Sequence, residues 1–229
     1  MNQFLYVLLL CFPISLLIPC EPFKGRILKP KNESSKDESF VKFSNNLTNA
    51  IKQKDVKFLQ EITDPEIHFS FGGESGKKQF FKAFALNQNP KKSNIWEIFE
   101  STIKLGFYQN KEGHFVAPYL FETFPEDLDP FMFYVVNGTN VNIREDAHMN
   151  AKVIKKLSYD IVGSDSSSPV TNDLDKKLNK GDCNWQKVCL FDGTSGFICD
   201  KYLRSPLDYR IFFEKKKQKW MMTIFIAGD

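Results

Sequence analysis

The chain has 229 residues, a formal net charge of +3 and 42% apolar residues, with 23 Phe against 7 Tyr and 3 Trp. That length accommodates one large domain or two small ones, and the Phe content supplies an aromatic core. A charge this close to balance, with Lys interspersed among Asp and Glu, excludes a binder that works by neutralising nucleic-acid phosphates.

In chain order, residues 1–19 carry no charged side chain and contain the apolar run 4–12, which Pro13 interrupts. A run this short reads as an export signal rather than a membrane span, so the mature protein is expected outside the cytoplasm. Residues 20–36 are rich in Pro, Lys, Glu and Ser without a hydrophobic period, which predicts a solvated tether. Folded structure is expected from Asp37 onward. Phe40, Phe43, Leu47, Ala50 and Ile51 recur at helical spacing over 37–52. A second helix, capped by Asp55, buries Val56, Leu59 and Ile62 until Asp64-Pro65 ends it. Ile67, Phe69 and Phe71 alternate as a strand, and Gly72-Gly73 turns the chain. Phe80, Phe81 and Phe84 predict a helix over 76–86, and Ile95, Phe99 and Ile103 another. Phe107-Tyr108 and residues 114–124 read as strands.

The pattern then changes. Val136-Asn-Gly-Thr-Asn-Val-Asn-Ile-Arg144, Trp185-Gln-Lys-Val188 and Gly193-Thr-Ser-Gly-Phe-Ile198 alternate apolar with polar residues between glycines, the mark of short strands and tight turns in a small barrel. Between them, 164–182 is polar and longer than a hairpin needs, an exposed loop whose Lys176, Lys177 and Lys180 read as a solvated face. At the end, Tyr209, Ile211 and Phe213 alternate, 215–219 turns, and Trp220, Met222, Ile224 and Ile226 alternate again. A lone hairpin is marginally stable, and the Phe-rich helices and incomplete sheet of 37–125 offer it a partner. The expected organisation is therefore one domain from 37–131 with 207–229, interrupted by a second at 132–206.

Catalytic patterns are thin. Asp64, His68, Tyr108, His114 and Tyr119 are the groups suited to acid–base work, and each has a plainer reading. Asp64 is a turn residue before Pro65, His68 has the opposite parity to its apolar neighbours, and the others are ordinary strand positions. Cys183, Cys189 and Cys199 with His148 match no usual zinc spacing, and export favours oxidation. No catalytic residue, metal or cofactor is assigned. A hairpin turn centred on Thr194 sets Cys189 opposite Cys199, within disulfide reach, and leaves Cys183 free. Trp185, Phe197 and Tyr202, with Asn142 and Arg144, either line a shallow groove for a peptide or glycan or simply cover the barrel and satisfy its turns. Asn32, Asn46 and Asn137 begin glycosylation sequons that matter only in a eukaryotic secretory route.

Three stretches resemble known families. Leu17-Ile18-Pro19-Cys20 resembles a bacterial lipoprotein signal, which implies lipid attachment at Cys20; a plain secretory signal is the alternative. Val141-Asn142-Ile143-Arg144, Val153-Ile154 with Leu157, Trp185 with Val188, Gly193, Gly196-Phe197-Ile198 and Tyr202-Leu203 resemble a bacterial SH3 domain, which implies an adhesive, ligand-holding module. The order helix, Lys54-Asp55, helix, Pro65 strand, then Gly76 with Phe80-Phe81, resembles the front half of nuclear transport factor 2-like domains, in which helices lie on a curved antiparallel sheet to form a cone. Together these resemblances imply an α+β cone with an inserted all-β SH3-like barrel, in an exported, lipid-anchored protein of the bacterial cell envelope. It would bind a cell-wall peptide, a glycan or an envelope protein without catalysis. The alternative is a small-molecule-binding protein or enzyme that uses the cone cavity.

Overall fold

The computed structural model describes residues 20–165 and 183–228; the expected export signal at 1–19 and residues 166–182 of the expected loop lie outside them. The architecture is mixed α+β, built on two sheets. Helix α1 (Glu38–Gln53) starts where the Asp37 carboxylate accepts the N–H groups of Ser39 and Phe40, and stops at Lys54 in the left-handed region. One residue later the same device recurs, with Asp55 accepting from Lys57 and Phe58 to open α2 (Val56–Ile62). Each cap satisfies amide donors that the first helical turn leaves unpaired. Helices α3 (Lys77–Ala83) and α4 (Ile95–Ile103) follow.

These helices cover a five-stranded sheet with the order β1 (Thr63–His68), β12 (Lys219–Ile226), β11 (Arg210–Lys216), β3 (Phe115–Ala117), β2 (Tyr108–Gln109). Only β1 and β12 run parallel. The C-terminal hairpin is thus the middle of the sheet. Its interior is aromatic: the fully buried Phe40 ring stacks on Phe115 at 3.7 Å between centroids and meets Phe107 and Trp220 edge to face. A second group, Phe80, Phe84, Phe99 and Tyr209, closes around Phe225. Phe225 reaches the core because the ladder slips opposite Phe212 and Phe213, so strict alternation fails after Met222 and Ile224 is only half-buried.

Residues 133–204 hold the second sheet, with the order β10 (Leu203–Arg204), β4 (Phe133–Val136), β7 (Ile161–Ser164), β8 (Trp185–Cys189), β9 (Ser195–Cys199), β5 (Val141–Arg144), β6 (Val153–Leu157). All its pairs are antiparallel, and among the described residues the ladder stays open between β10 and β6. Its own core includes Val136, Ile143, Leu157, Val162, Val188 and Ile198. Gly196 lets β9 meet β5 closely, since a Cβ there would lie 2.5 Å from the Ile143 side chain.

Three local expectations are corrected. Residues 119–123 form a short helix, α5 (Tyr119–Thr123), instead of continuing the strand, because Pro118 offers no N–H to extend the pairing of β3. The first strand ends at His68, which leaves Phe71 57% exposed. Residues 20–36 do not form a free tether. The Phe23 N–H donates to Phe191 O, the Leu28 N–H to Tyr159 O and the Glu33 N–H to Phe107 O, so the arm crosses from the seven-stranded sheet to the five-stranded one. Arg26 pairs with Asp127, and the Tyr119 hydroxyl donates to Leu28 O. Composition without a hydrophobic period describes this arm because its contacts are single main-chain bonds and scattered side chains rather than a periodic apolar face.

Candidate functional site: a groove on the seven-stranded sheet

The hairpin β8–β9 organises the site. Cys189 faces Ser195 and Trp185 faces Cys199, so the turn is centred on Asp192, two residues before the expected Thr194. The Asp192 carboxylate sets this turn by accepting the Lys155 ammonium at 2.8 Å and the Thr194 hydroxyl and N–H, which together hold it well below the usual carboxylate range. Moving the centre by two moves the pairing by four. Cys189 and Cys199 therefore lie at opposite ends of the hairpin, and their expected disulfide is replaced by two others. Cys183 bonds Cys199, with Cα atoms 5.4 Å apart, and Cys20 bonds Cys189, with Cα atoms 5.3 Å apart. The expected lipid attachment at Cys20 is corrected by the same bond, because a sulfur joined to Cys189 cannot also carry a thioether. Two disulfides fit an oxidising, non-cytoplasmic location. No helix among the described residues is long and apolar enough to cross a membrane.

On the outer face of this hairpin, Trp185 packs with Ala147, Cys199 and the half-buried Phe197 and Cys183. Arg144, on β5, donates to Ala151 O at 2.7 Å and so ties the loop after β5 against the Trp. A groove of about 160 Å³ opens beside this cluster, lined by Asn142, Arg144, Trp185 and Tyr202, with Asn140, Met149 and Lys201 added. Four of the five expected groove residues thus share one surface. Phe197 does not line it; it packs against the Ala147, Trp185 and Cys199 cluster. Lys201 is next to Tyr202 and Asn140 next to Val141, so their neighbours carried the signal, whereas Met149 lies in a loop with no pattern to reveal it.

Two of the side chains that line this groove each hold a buried polar atom. Asn142 Oδ1 and Trp185 Nε1 are buried with no hydrogen-bond partner. The other two tryptophans differ: Trp96 donates to Pro90 O at 2.6 Å and Trp220 to Ser39 Oγ at 3.0 Å. A buried donor or acceptor without a partner costs about 1–3 kcal/mol, so native structures rarely keep one without a use.

The residues suited to catalysis are not gathered. Asp64 is buried and pairs with Lys216 at 2.9 Å. Burial alone would raise its pKa, but the Lys216 ammonium and the Glu66 N–H outweigh it and hold the carboxyl below its ordinary value. His68 is exposed at the end of β1, and His114 lies 3.7 Å from Glu112. The Lys31 and Lys36 ammoniums lie over the Tyr108 ring. Burial pushes the Tyr119 hydroxyl up to about 12. A cleft of about 340 Å³ does exist between α1 and α4, floored by Val41, Ile51, Ile103 and Phe107, but none of these five groups lines it. The one described cluster with metal-ligand atoms in reach is Cys20, Asp165 and Cys189, and its two sulfurs are spent on each other. His148 lies 3.8 Å from Asp146.

No protein-family model, curated protein or solved structure matches the chain.

Proposed function

We propose that this is an exported binding protein of the bacterial cell envelope, in which an SH3-like module, the seven-stranded sheet, holds a peptide, and a nuclear transport factor 2-like cone, the five-stranded sheet with its helices, supports it. Short antiparallel strands, tight turns and a private apolar core support the first assignment. Helices packed across one mostly antiparallel sheet support the second. The space between those helices and their sheet is filled by Phe and Trp rings, which favours a supporting role over a ligand cavity.

The observation that carries the reading is the groove itself, where Asn142, Arg144, Trp185 and Tyr202 line one surface of the sheet. Tyr202, 39% exposed, gives a bound peptide an aromatic face, and the polar lining side chains offer its main chain hydrogen-bonding groups. Binding of a library of tri- to hexapeptides is the test, with Asn142→Ala and Tyr202→Ala as groove variants. Each variant is expected to weaken the tightest peptide at least tenfold without lowering thermal stability appreciably. Affinities unchanged in both variants would overturn the assignment.

A further inference from the structure

Strand β6 ends the seven-stranded ladder, and β5 is its one neighbour among the described residues. Alternate N–H and C=O groups along an edge strand point away from the sheet, where another chain can pair with them. Among the described residues, the main chain of Val153 to Leu157 forms no bond beyond its ladder with β5. The side chains leave this edge open as well: Val153 is 38% and Ile154 41% exposed, and Lys152 and Lys156 are exposed. A bulge at Ile154 sets Val153 opposite Arg144 and Lys156 opposite Asn142, so Val153 and Lys156 share one face of the sheet although they are three residues apart.

The charges decide what can pair here. Lys155 is held by Asp192 at 2.8 Å, whereas Lys152 and Lys156 form no ion pair among the described residues. Glu145, whose N–H donates to Lys152 O, forms none either. Lysine on an edge opposes self-pairing, because a second copy laid along β6 brings Lys against Lys. The same lysines favour a strand of opposite sign, since opposite charges across a ladder stabilise it and like charges destabilise it. Val153 and Ile154, between the two cations, add apolar contact for such a strand.

We infer that β6 is a docking edge for an extended acidic segment of a partner protein, which joins the sheet as a further strand. Its main chain pairs with the open side of β6, its carboxylates face Lys152 and Lys156, and an apolar side chain between them rests on Val153 or Ile154. This edge is a surface separate from the groove, and the inference does not rest on the groove reading.

Affinity and amide hydrogen exchange of the full chain test this with three capped hexapeptides: acetyl-Glu-Val-Glu-Val-Glu-Val-amide, its counterpart with Lys for Glu, and the acidic peptide N-methylated at every residue. The acidic peptide is expected to slow exchange within 153–156 and to bind at least tenfold tighter than either of the others, less so as salt rises. The double change Lys152→Glu with Lys156→Glu should reverse the preference in favour of the Lys peptide, a gain that a folding defect cannot produce. Equal affinity for the acidic and basic peptides would overturn the charge argument, and equal affinity for the N-methylated peptide would overturn strand addition. Binding of the acidic peptide that is lost in Tyr202→Ala but kept in the double Lys variant would move it to the groove, which overturns the edge inference and leaves the groove reading standing. Slowed exchange within 153–156 that appears without peptide as the protein concentration rises would give the edge to a second copy and overturn the inference as well.

Discussion

The two sheets treat their polar groups in opposite ways. Around the five-stranded sheet, Trp96 and Trp220 donate to Pro90 O and Ser39 Oγ, and the buried Asp64 finds Lys216. On the seven-stranded sheet, the equally buried Trp185 donates to nothing and Asn142 Oδ1 accepts from nothing. The first region has used its hydrogen-bonding capacity on itself, which is how a support behaves. Among the described residues, the second leaves such groups buried without a partner, at a cost in stability.

The largest effect that bears on this contrast is removal of the C-terminal hairpin. Truncation after Ser205 deletes two inner strands of the five-stranded sheet and leaves β1 without its neighbouring strand. Apolar surface worth several kcal/mol is exposed, comparable with a whole domain's stability. Hydrogen exchange should show protection lost across α1 to β3 and retained across β4 to β10; retained protection in the former would mean that the hairpin is an appendage.

Next in size is Cys20→Ser. The Cys20–Cys189 bond spans 169 residues, so its loss should destabilise by about 2–4 kcal/mol, read as a lower denaturant midpoint. An unreduced digest should yield Cys20 joined to Cys189 and Cys183 joined to Cys199. Recovery of a Cys189–Cys199 peptide, or of lipid on Cys20, would contradict this pairing.

A smaller effect isolates the tryptophans. Trp220→Phe and Trp185→Phe remove the same atoms, but only the first breaks a hydrogen bond, so Trp220→Phe should cost about 1 kcal/mol more. The reverse order would dissolve the contrast. The smallest effect is that of Asp64. Its carboxyl is held below the ordinary value of about 3.9, so its contribution is present above that pH and is lost as the pH falls through the native midpoint. With Lys216 partly exposed, the pair should be worth about 0.5 kcal/mol or less, and Lys216→Met should raise the Asp64 midpoint in a carboxyl-carbon titration.

What the sequence made legible was local. Asp37 and Asp55 precede apolar residues at helical spacing, and both cap helices through their own carboxylates. Helix α4 begins and ends on the two outer residues of the Ile95, Phe99, Ile103 pattern. The features that escaped depend on register or on main-chain bonding. The alternation of Trp185 to Cys189 and of Ser195 to Cys199 identifies both strands but is unchanged when the turn moves by two residues, so it could not choose among the cysteine pairings. The slip opposite Phe212 and Phe213 likewise leaves no mark in composition. The arm at 20–36 docks partly through N–H and carbonyl groups that every sequence possesses, and partly through the Cys20 sulfur and the Arg26 guanidinium, whose partners lie far along the chain. At the groove, aromatic and polar residues at strand positions pointed to Asn142, Arg144, Trp185 and Tyr202, whereas Met149 joins them only through the fold of a loop.

The central position of β11 and β12 sets an order for biosynthesis. A chain that emerges from its N-terminus presents α1 to α4, with their buried Phe faces, long before the strands that cover them exist. The seven-stranded sheet, drawn from one continuous stretch, has all its strands in hand first. The nascent protein therefore passes through a stage in which its seven-stranded sheet is complete while its aromatic half is still open and prone to aggregate, and it is during this interval that a holding chaperone would determine the yield.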